Sequence, residues 1–276
     1  MGLELPEIIN LSQQMDKTLK NKIIKEINLD ERSKSLIKQG MCNLDRRGDE
    51  ILNSPIKSIK SRGKWIFIEF NNEKYLILGE VIGKFQYYPD LSDLPSKYHV
   101  IFEFEDKSAL TFQSSLYAFI MALSLEEIEN HKYAGNIGPS PLDKEFTYPY
   151  FLKFLSKYEN RAIKGVLNLQ SEISGLGNAY INDILYHAKI HPKAKVSSLK
   201  DSQRRNLYDT IMERMNSATK LGGSVKEYNL FGEKGGYTRL ADQPLKDLKC
   251  NSCGFKIEKM NVSGSASYIC PQCQEL

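Results

Sequence analysis

The 276 residues suffice for two or three domains with hydrophobic cores of their own. At 41% hydrophobic and 26% charged the composition is that of a globular chain. No run nears the roughly 18 apolar residues of a membrane span, and MGLELPEIINLSQQMDK lacks the features of a secretory leader, which leaves the cytoplasm as the default compartment. A net charge of +4 permits an acidic partner without requiring one.

The first predicted element is a helix over PEIINLSQQMDKTL, where Ile8, Leu11, Met15 and Leu19 form one apolar stripe. Cys42 stands alone and reads as a small buried hydrophobe. Strand signals then crowd together in KWIFIEF (64–70), EKYLILGEVIG, GKFQYY, YHVIFEFED and ALTFQ. Asn71-Asn72 and Asp106-Lys107 punctuate them as hairpins. Residues 1–125 therefore read as a helix-covered β-sandwich. A short helix in SLEEIEN and a connector rich in proline and glycine fill 126–149.

From 150 to about 221 the pattern is helical, through FLKFLSKY, AIKGVLNLQ, NAYINDILYHAKI and SQRRNLYDTIMERMNSATK. A looser glycine-bearing stretch, NLFGEKGGYTRL, completes a domain at 150–245. Residues 246–276 form a separate small module. The fold class is thus multidomain α+β.

The last module carries Cys250-x2-Cys253 and Cys270-x2-Cys273, sixteen residues apart. Each C-x2-C turn brings two thiolates to about 2.3 Å from one metal, and four sulfurs close a tetrahedron with no place for an activated water. The spacing predicts one structural zinc; an iron–sulfur centre or a redox pair are the other chemistries of such cysteines. Between two helices, Gly175 and Gly177 stand where one helix stops and the next begins at Asn178. Free backbone N–H groups at such a turn suit a phosphate, with Asn178 at the mouth. An ordinary helical hairpin with a glycine cap accounts for the same residues equally well.

GLGNAYINDILYHAKIHP closely resembles the helix–two-turn–helix signature of the formamidopyrimidine-DNA glycosylase and endonuclease VIII family. The ribbon ending CPQCQ, the connector IGPSPL (137–142), the hairpin SRGKWIFIEF (61–70) and ELPEI near the start resemble that family's other parts, in order along the whole chain. The resemblance implies a sandwich, a helix–two-turn–helix domain and a zinc ribbon that together grip duplex DNA and flip out a damaged base.

In the family, a proline following the initiator methionine attacks C1′ of the damaged nucleotide and forms a Schiff base, assisted by the adjacent glutamate. Here Glu4 takes the place of that glutamate, Leu3 occupies the proline position, and Gly2 lies ahead of it. Removal of Met1 would leave Gly2 with a primary α-amine. The pKa of such an amine, about 7.7–8.0, keeps much of it neutral near pH 7. Its reach is shifted by up to about 3.5 Å, one residue's extent.

The resemblance makes Lys64 a catalytic-site contact to the phosphate beside the damaged nucleotide, a role Arg62 could share, and makes Lys164 a backbone contact. Ser265 stands where the family's zinc finger carries a phosphate-gripping arginine. FQSSLYAF (112–119) occupies the family's wedge without an arginine, leaving Leu116, Tyr117 or Phe119 to intercalate, and Val81 replaces a methionine wedge. His187 and His191 read as surface or helix-end histidines rather than ligands.

The expected protein is a monomeric DNA glycosylase with abasic-site lyase activity acting on damaged or abasic duplex DNA. The alternative is a damaged-DNA-binding protein that keeps the same fold with altered or lost chemistry.

Overall fold

A computed structural model describes residues 2–244 and 248–276. The chain divides into two compact units, Met1–Asn136 with Lys226–Gly235, and Ile137–Val225 with Gly236–Leu276.

The first unit opens with α1 (Leu5–Leu19), started by Glu4 and Glu7, whose side chains cap each other's backbone N–H groups, with Pro6 in the first turn. Its stripe Ile8, Leu11, Met15 and Leu19 is wholly buried, as the spacing predicted. Then follow β1 (Ile24–Leu29), the short helices α2 (Lys34–Lys38) and α3 (Leu44–Arg47), and β2 (Ile56–Arg62), β3 (Trp65–Phe70) and β4 (Lys74–Gly79). The unit continues with β5 (Gly83–Tyr88), β6 (Val100–Phe104), β7 (Ala109–Ser114), β8 (Phe119–Ser124) and α4 (Leu125–Glu129).

Two antiparallel sheets result, ordered β1-β6-β7-β5 and β2-β3-β4-β8. Their facing residues, among them Ile66, Ile68, Phe70, Leu76, Phe85, Phe102 and Phe112, share one core with α1 and with Cys42, which is fully buried. Leu230 joins this core from the stretch that the sequence presents as a loose loop. Its N–H donates to Gln14 Oε1 at 3.0 Å, and its carbonyl accepts from Tyr87 N at 2.8 Å.

The second unit contains α5 (Tyr148–Ser156), α6 (Ile163–Leu167), α7 (Asn178–His187), α8 (Asp201–Lys220) and the ribbon hairpin β9 (Glu258–Val262) with β10 (Ser265–Ile269). The connector 137–142 packs onto the segment between α6 and α7: Gly138 N donates to Gln170 O at 2.9 Å, and Ser174 N to Pro139 O at 3.0 Å. Among the described residues no helix is long and apolar enough to cross a membrane.

Candidate active site, helical turn and metal centre

The start of the chain lies against the stretch that leaves β4. Leu3 N donates to Val81 O at 2.8 Å, and the Leu3 side chain is buried in the core. A side chain added at Gly2 would meet Val81 O at 3.1 Å and Ile82 Cγ1 at 3.2 Å, so Gly2 sits close on the same backbone. Glu4, one residue beyond Leu3, is buried as the N-cap of α1. Met1, whose removal decides whether Gly2 is terminal, lies outside the described residues.

Lys64 occupies the two-residue loop between β2 and β3. Gly63 ahead of it has φ +56°, the left-handed value that such a tight hairpin demands and glycine adopts without strain. The Lys64 side chain is only 11% exposed, and its ammonium lies 3.7 Å from Glu80. Arg62 pairs with Trp65 across the base of that loop. Tyr117 is half-buried; its carbonyl accepts from Ile82 N at 3.0 Å, while Ser115 N donates to Ile82 O at 2.7 Å.

These two bonds pin the arch 115–117 and leave Leu116 69% exposed at its tip. Burial, and secondly the charge of Glu80, push the Tyr117 phenol above its ordinary range. The stretch Glu80–Val81–Ile82 thus touches Gly2, Leu3, Lys64 and Tyr117 together. Val81 is buried and cannot act as a wedge, in keeping with the missing methionine. Phe119 turns instead into a ring cluster with Trp65, His131 and Tyr133. Glu80 belongs to no short motif of the sequence; it faces Lys64 through a non-glycine positive φ of 46°.

In the second unit the turn before α7 is closed by one side chain. Gln170 Nε2 donates to Leu176 O at 2.7 Å, and its Oε1 accepts from Gly175 N at 2.9 Å. Gly175 has φ +86°, and Gly177 is extended as the N-cap, so Asn178 becomes the first residue of α7. Asn178 lines a cavity of about 230 Å³ with Arg161, Lys164, Gly165, Ser263 and Ser265.

Lys164 is 97% buried there, its exposure being 3%. Its ammonium donates to Ser265 O at 3.1 Å, Ala266 O at 2.8 Å and Ser267 Oγ at 2.7 Å. All three donors are used inside the protein. The geometry seen is therefore a brace between α6 and the ribbon, in place of the free backbone contact expected from the sequence. Burial also lowers the Lys164 pKa to about 8. Ser265 opens β10 beside the Ser263–Gly264 turn and offers its carbonyl to Lys164.

The four cysteines converge. The Sγ atoms of Cys250, Cys253, Cys270 and Cys273 all lie within 4.8 Å of one another, with Cys250–Cys273 at 3.9 Å and Cys253–Cys270 at 3.4 Å. A zinc–sulfur bond of about 2.3 Å gives a tetrahedron with sulfur–sulfur edges of about 3.8 Å, so this donor set fits zinc. Neither histidine belongs to it. His187 Nε2 is 3.9 Å from Asp183 Oδ1, and His191 Nδ1 accepts from Lys193 N.

A helix-capped double sheet with a cationic hairpin at its N-terminal corner, followed by a helix–two-turn–helix and a four-cysteine ribbon, defines a recognisable class of nucleic-acid-processing proteins. The chain matches the formamidopyrimidine-DNA glycosylase N-terminal domain over residues 3–115, the H2TH domain of the same proteins over 137–229, and the zinc finger found in FPG and IleRS over 247–276. It is 30% identical over 275 residues to the formamidopyrimidine-DNA glycosylase of Cytobacillus firmus, covering 98% of this chain and 99% of that protein. The enzyme of the same name from Streptococcus pneumoniae strain R6 is 28% identical over 277 residues, with 98% of each chain covered.

Two solved structures of Lactococcus lactis Fpg are similar throughout, each at 26% identity and covering 99% of this chain and 100% of that one. They are its complex with DNA containing an abasic site, at a TM-score of 0.81, and its complex with DNA containing N7-benzyl-Fapy-dG, at 0.83. The chain belongs to the formamidopyrimidine-DNA glycosylase family. Its ribbon holds one structural zinc.

Proposed function

We propose that this protein is a DNA glycosylase with abasic-site lyase activity, acting on damaged or abasic duplex DNA in base excision repair, in the cytoplasmic compartment that holds the DNA. The observation that carries this reading is end-to-end similarity to formamidopyrimidine-DNA glycosylases, together with a buried Glu4 two residues from Gly2. The alternative of a clamp that binds without chemistry is not favoured, because the relatives it resembles along its whole length bear the enzyme's name.

The chemistry follows from the first residues. The nitrogen of Leu3 is an amide committed to Val81 O, so it has no lone pair to offer C1′. With Met1 removed, the Gly2 amine is the nucleophile; its neutral form attacks C1′ and the base departs. The C1′–O4′ bond then opens, O4′ takes the proton and a Schiff base remains, whereas at an abasic site the same amine condenses with the C1′ aldehyde and water is lost. Glu4 moves the proton between sugar and leaving group. Lys64, beside Glu80, holds the phosphate of the flipped nucleotide, with Arg62 as a further cation on the same hairpin.

Asn178 and the N-terminus of α7 take a phosphate of the duplex, and Leu116 and Tyr117 enter the space the base leaves. The zinc supplies no step; it holds the ribbon's shape.

The test is strand incision. The purified protein, loaded with zinc and checked for a Gly2 terminus, should cleave duplex DNA at an oxidised purine and at an abasic site, and leave undamaged duplex intact. Absence of cleavage at both lesions would defeat the reading.

A further inference from the structure

Tyr186 lies in the last turn of α7 and is buried in a small apolar core with Leu240, Ile257, Cys250 and Cys270. Its hydroxyl donates to Cys250 Sγ at 3.4 Å and accepts from Asn251 N at 3.0 Å. One oxygen thus grips the first C-x2-C turn at two successive residues. A ring alone would fill this space, and phenylalanine would do so without introducing a buried polar atom; the hydroxyl is explained only by what it bonds.

The same helix reaches the ribbon a turn earlier. Asn182 Nδ2 donates to Ala266 O at 3.0 Å, and Asn182 Oδ1 accepts from Tyr268 N at 3.2 Å. On the ribbon's far side Gln274 Nε2 donates to Ile190 O at 2.9 Å while its Oε1 accepts from Cys270 N at 2.9 Å. The ribbon is therefore joined to α7 and to the residues just after it by directional bonds, of which, among the described residues, only the Tyr186 bond ends on a metal-binding sulfur.

Four thiolates around a divalent zinc leave the centre with two net negative charges. A donor to one sulfur draws off part of that charge and strengthens the site, since groups that bond metal ligands tune affinity by about 10–100-fold. The bond also makes the position of α7 depend on the sulfur, and hence on the metal.

We propose that Tyr186 is a positioning residue whose hydroxyl fixes the Cys250 thiolate in the zinc centre and thereby couples metal occupancy to the order of α7. This rests on zinc filling the four-sulfur site.

The experiment uses the full chain loaded with cobalt(II), and separately with zinc. Tyr186→Phe should keep the visible bands of a tetrahedral four-sulfur site but move the sulfur-to-cobalt charge-transfer band to lower energy. It should release zinc to a colorimetric chelator about 10-fold faster, and raise amide exchange across 178–187 in the zinc-loaded protein.

Bands, release rate and exchange all unmoved would overturn the proposal alone; an unsubstituted chain with no tetrahedral cobalt bands would overturn the zinc reading with it. Should Tyr186→Phe fail to fold, the unsubstituted chain loaded with a spin-half cadmium isotope decides. A slowly exchanging Tyr186 hydroxyl proton coupled to the metal is the expected result, and a fast-exchanging, uncoupled one the contrary result.

Discussion

Leu3 shows how one residue can redirect a site. Placed where a nucleophilic proline would stand, it is buried and its nitrogen is an amide bonded to Val81, so the proposed chemistry assigns the reactive amine to Gly2. Glu4 caps α1, and the proposed function gives it a second task in the chemistry. Glu4→Gln separates them, because the amide oxygen can still accept from the Glu7 N–H while the titratable proton is gone. We expect turnover on an abasic duplex to fall by about 10²–10⁴-fold with duplex affinity nearly unchanged; equal turnover in single-turnover kinetics would take Glu4 out of the mechanism.

Lys64 and Asn178 separate by charge. Lys64→Ala should weaken duplex binding and flatten the plot of log affinity against log salt by about 0.9, the share of one neutralised phosphate. Asn178→Ala should weaken binding and leave that slope unchanged. Salt slopes that move the other way would reassign both residues. Glu4, Lys64 and Asn178 could be proposed from the sequence because each sits in a short local motif. Glu80 and Tyr186 could not, because their partners are 16 and 64 residues away in the chain.

At the scale of elements, local periodicity governed what the sequence disclosed. The helix α1 carries a regular buried stripe, and the strands β3 to β7 are short runs dense in β-branched and aromatic residues, which made them readable. The strand β2 was not, because a register shift between Ile56 and Ser58 spaces its buried Ile56 and Ile59 three apart and breaks the alternation. The strand β1 alternates poorly because only Ile24 is buried within it. The strand β8 starts at Phe119, the last residue of the segment read as a wedge, and runs on beyond it.

One inter-element tie has a pH signature. Arg47, at the end of α3, bonds Glu50 at 2.5 and 2.9 Å and Glu127 of α4 at 2.6 and 2.9 Å. Its guanidinium holds both carboxyls down at about 2, from an ordinary 4.5. A depressed carboxyl pKa stabilises the fold above the unfolded value and loses that contribution as pH falls through the folded one.

Arg47→Ala should therefore lower the melting temperature at neutral pH, by an amount corresponding to about 1 kcal/mol given the partial exposure of all three groups. It should also make stability fall less steeply than in the unsubstituted protein between pH 4.5 and 2. Parallel pH profiles for the two proteins would show that Arg47 does not set these titrations.

At the scale of the whole molecule, the order sandwich, helix–two-turn–helix and ribbon was legible because each part announces itself by composition: strand alternation, helical stripes, paired cysteines. The path of 226–235 was not. Its glycines suggested a loose loop, yet Leu230 is fully buried in the first unit, a long-range packing event that no local pattern encodes. The family and the metal site follow from these parts.

The central claim is that a chain of this family without the N-terminal proline still does amine chemistry, through Gly2. Borohydride trapping on duplex DNA with a single abasic site tests it most directly, using protein whose Gly2 terminus is verified by mass. A covalent protein–DNA adduct that maps to the Gly2 peptide is the predicted result. No adduct from correctly processed protein, or an adduct mapping to a lysine, would contradict it.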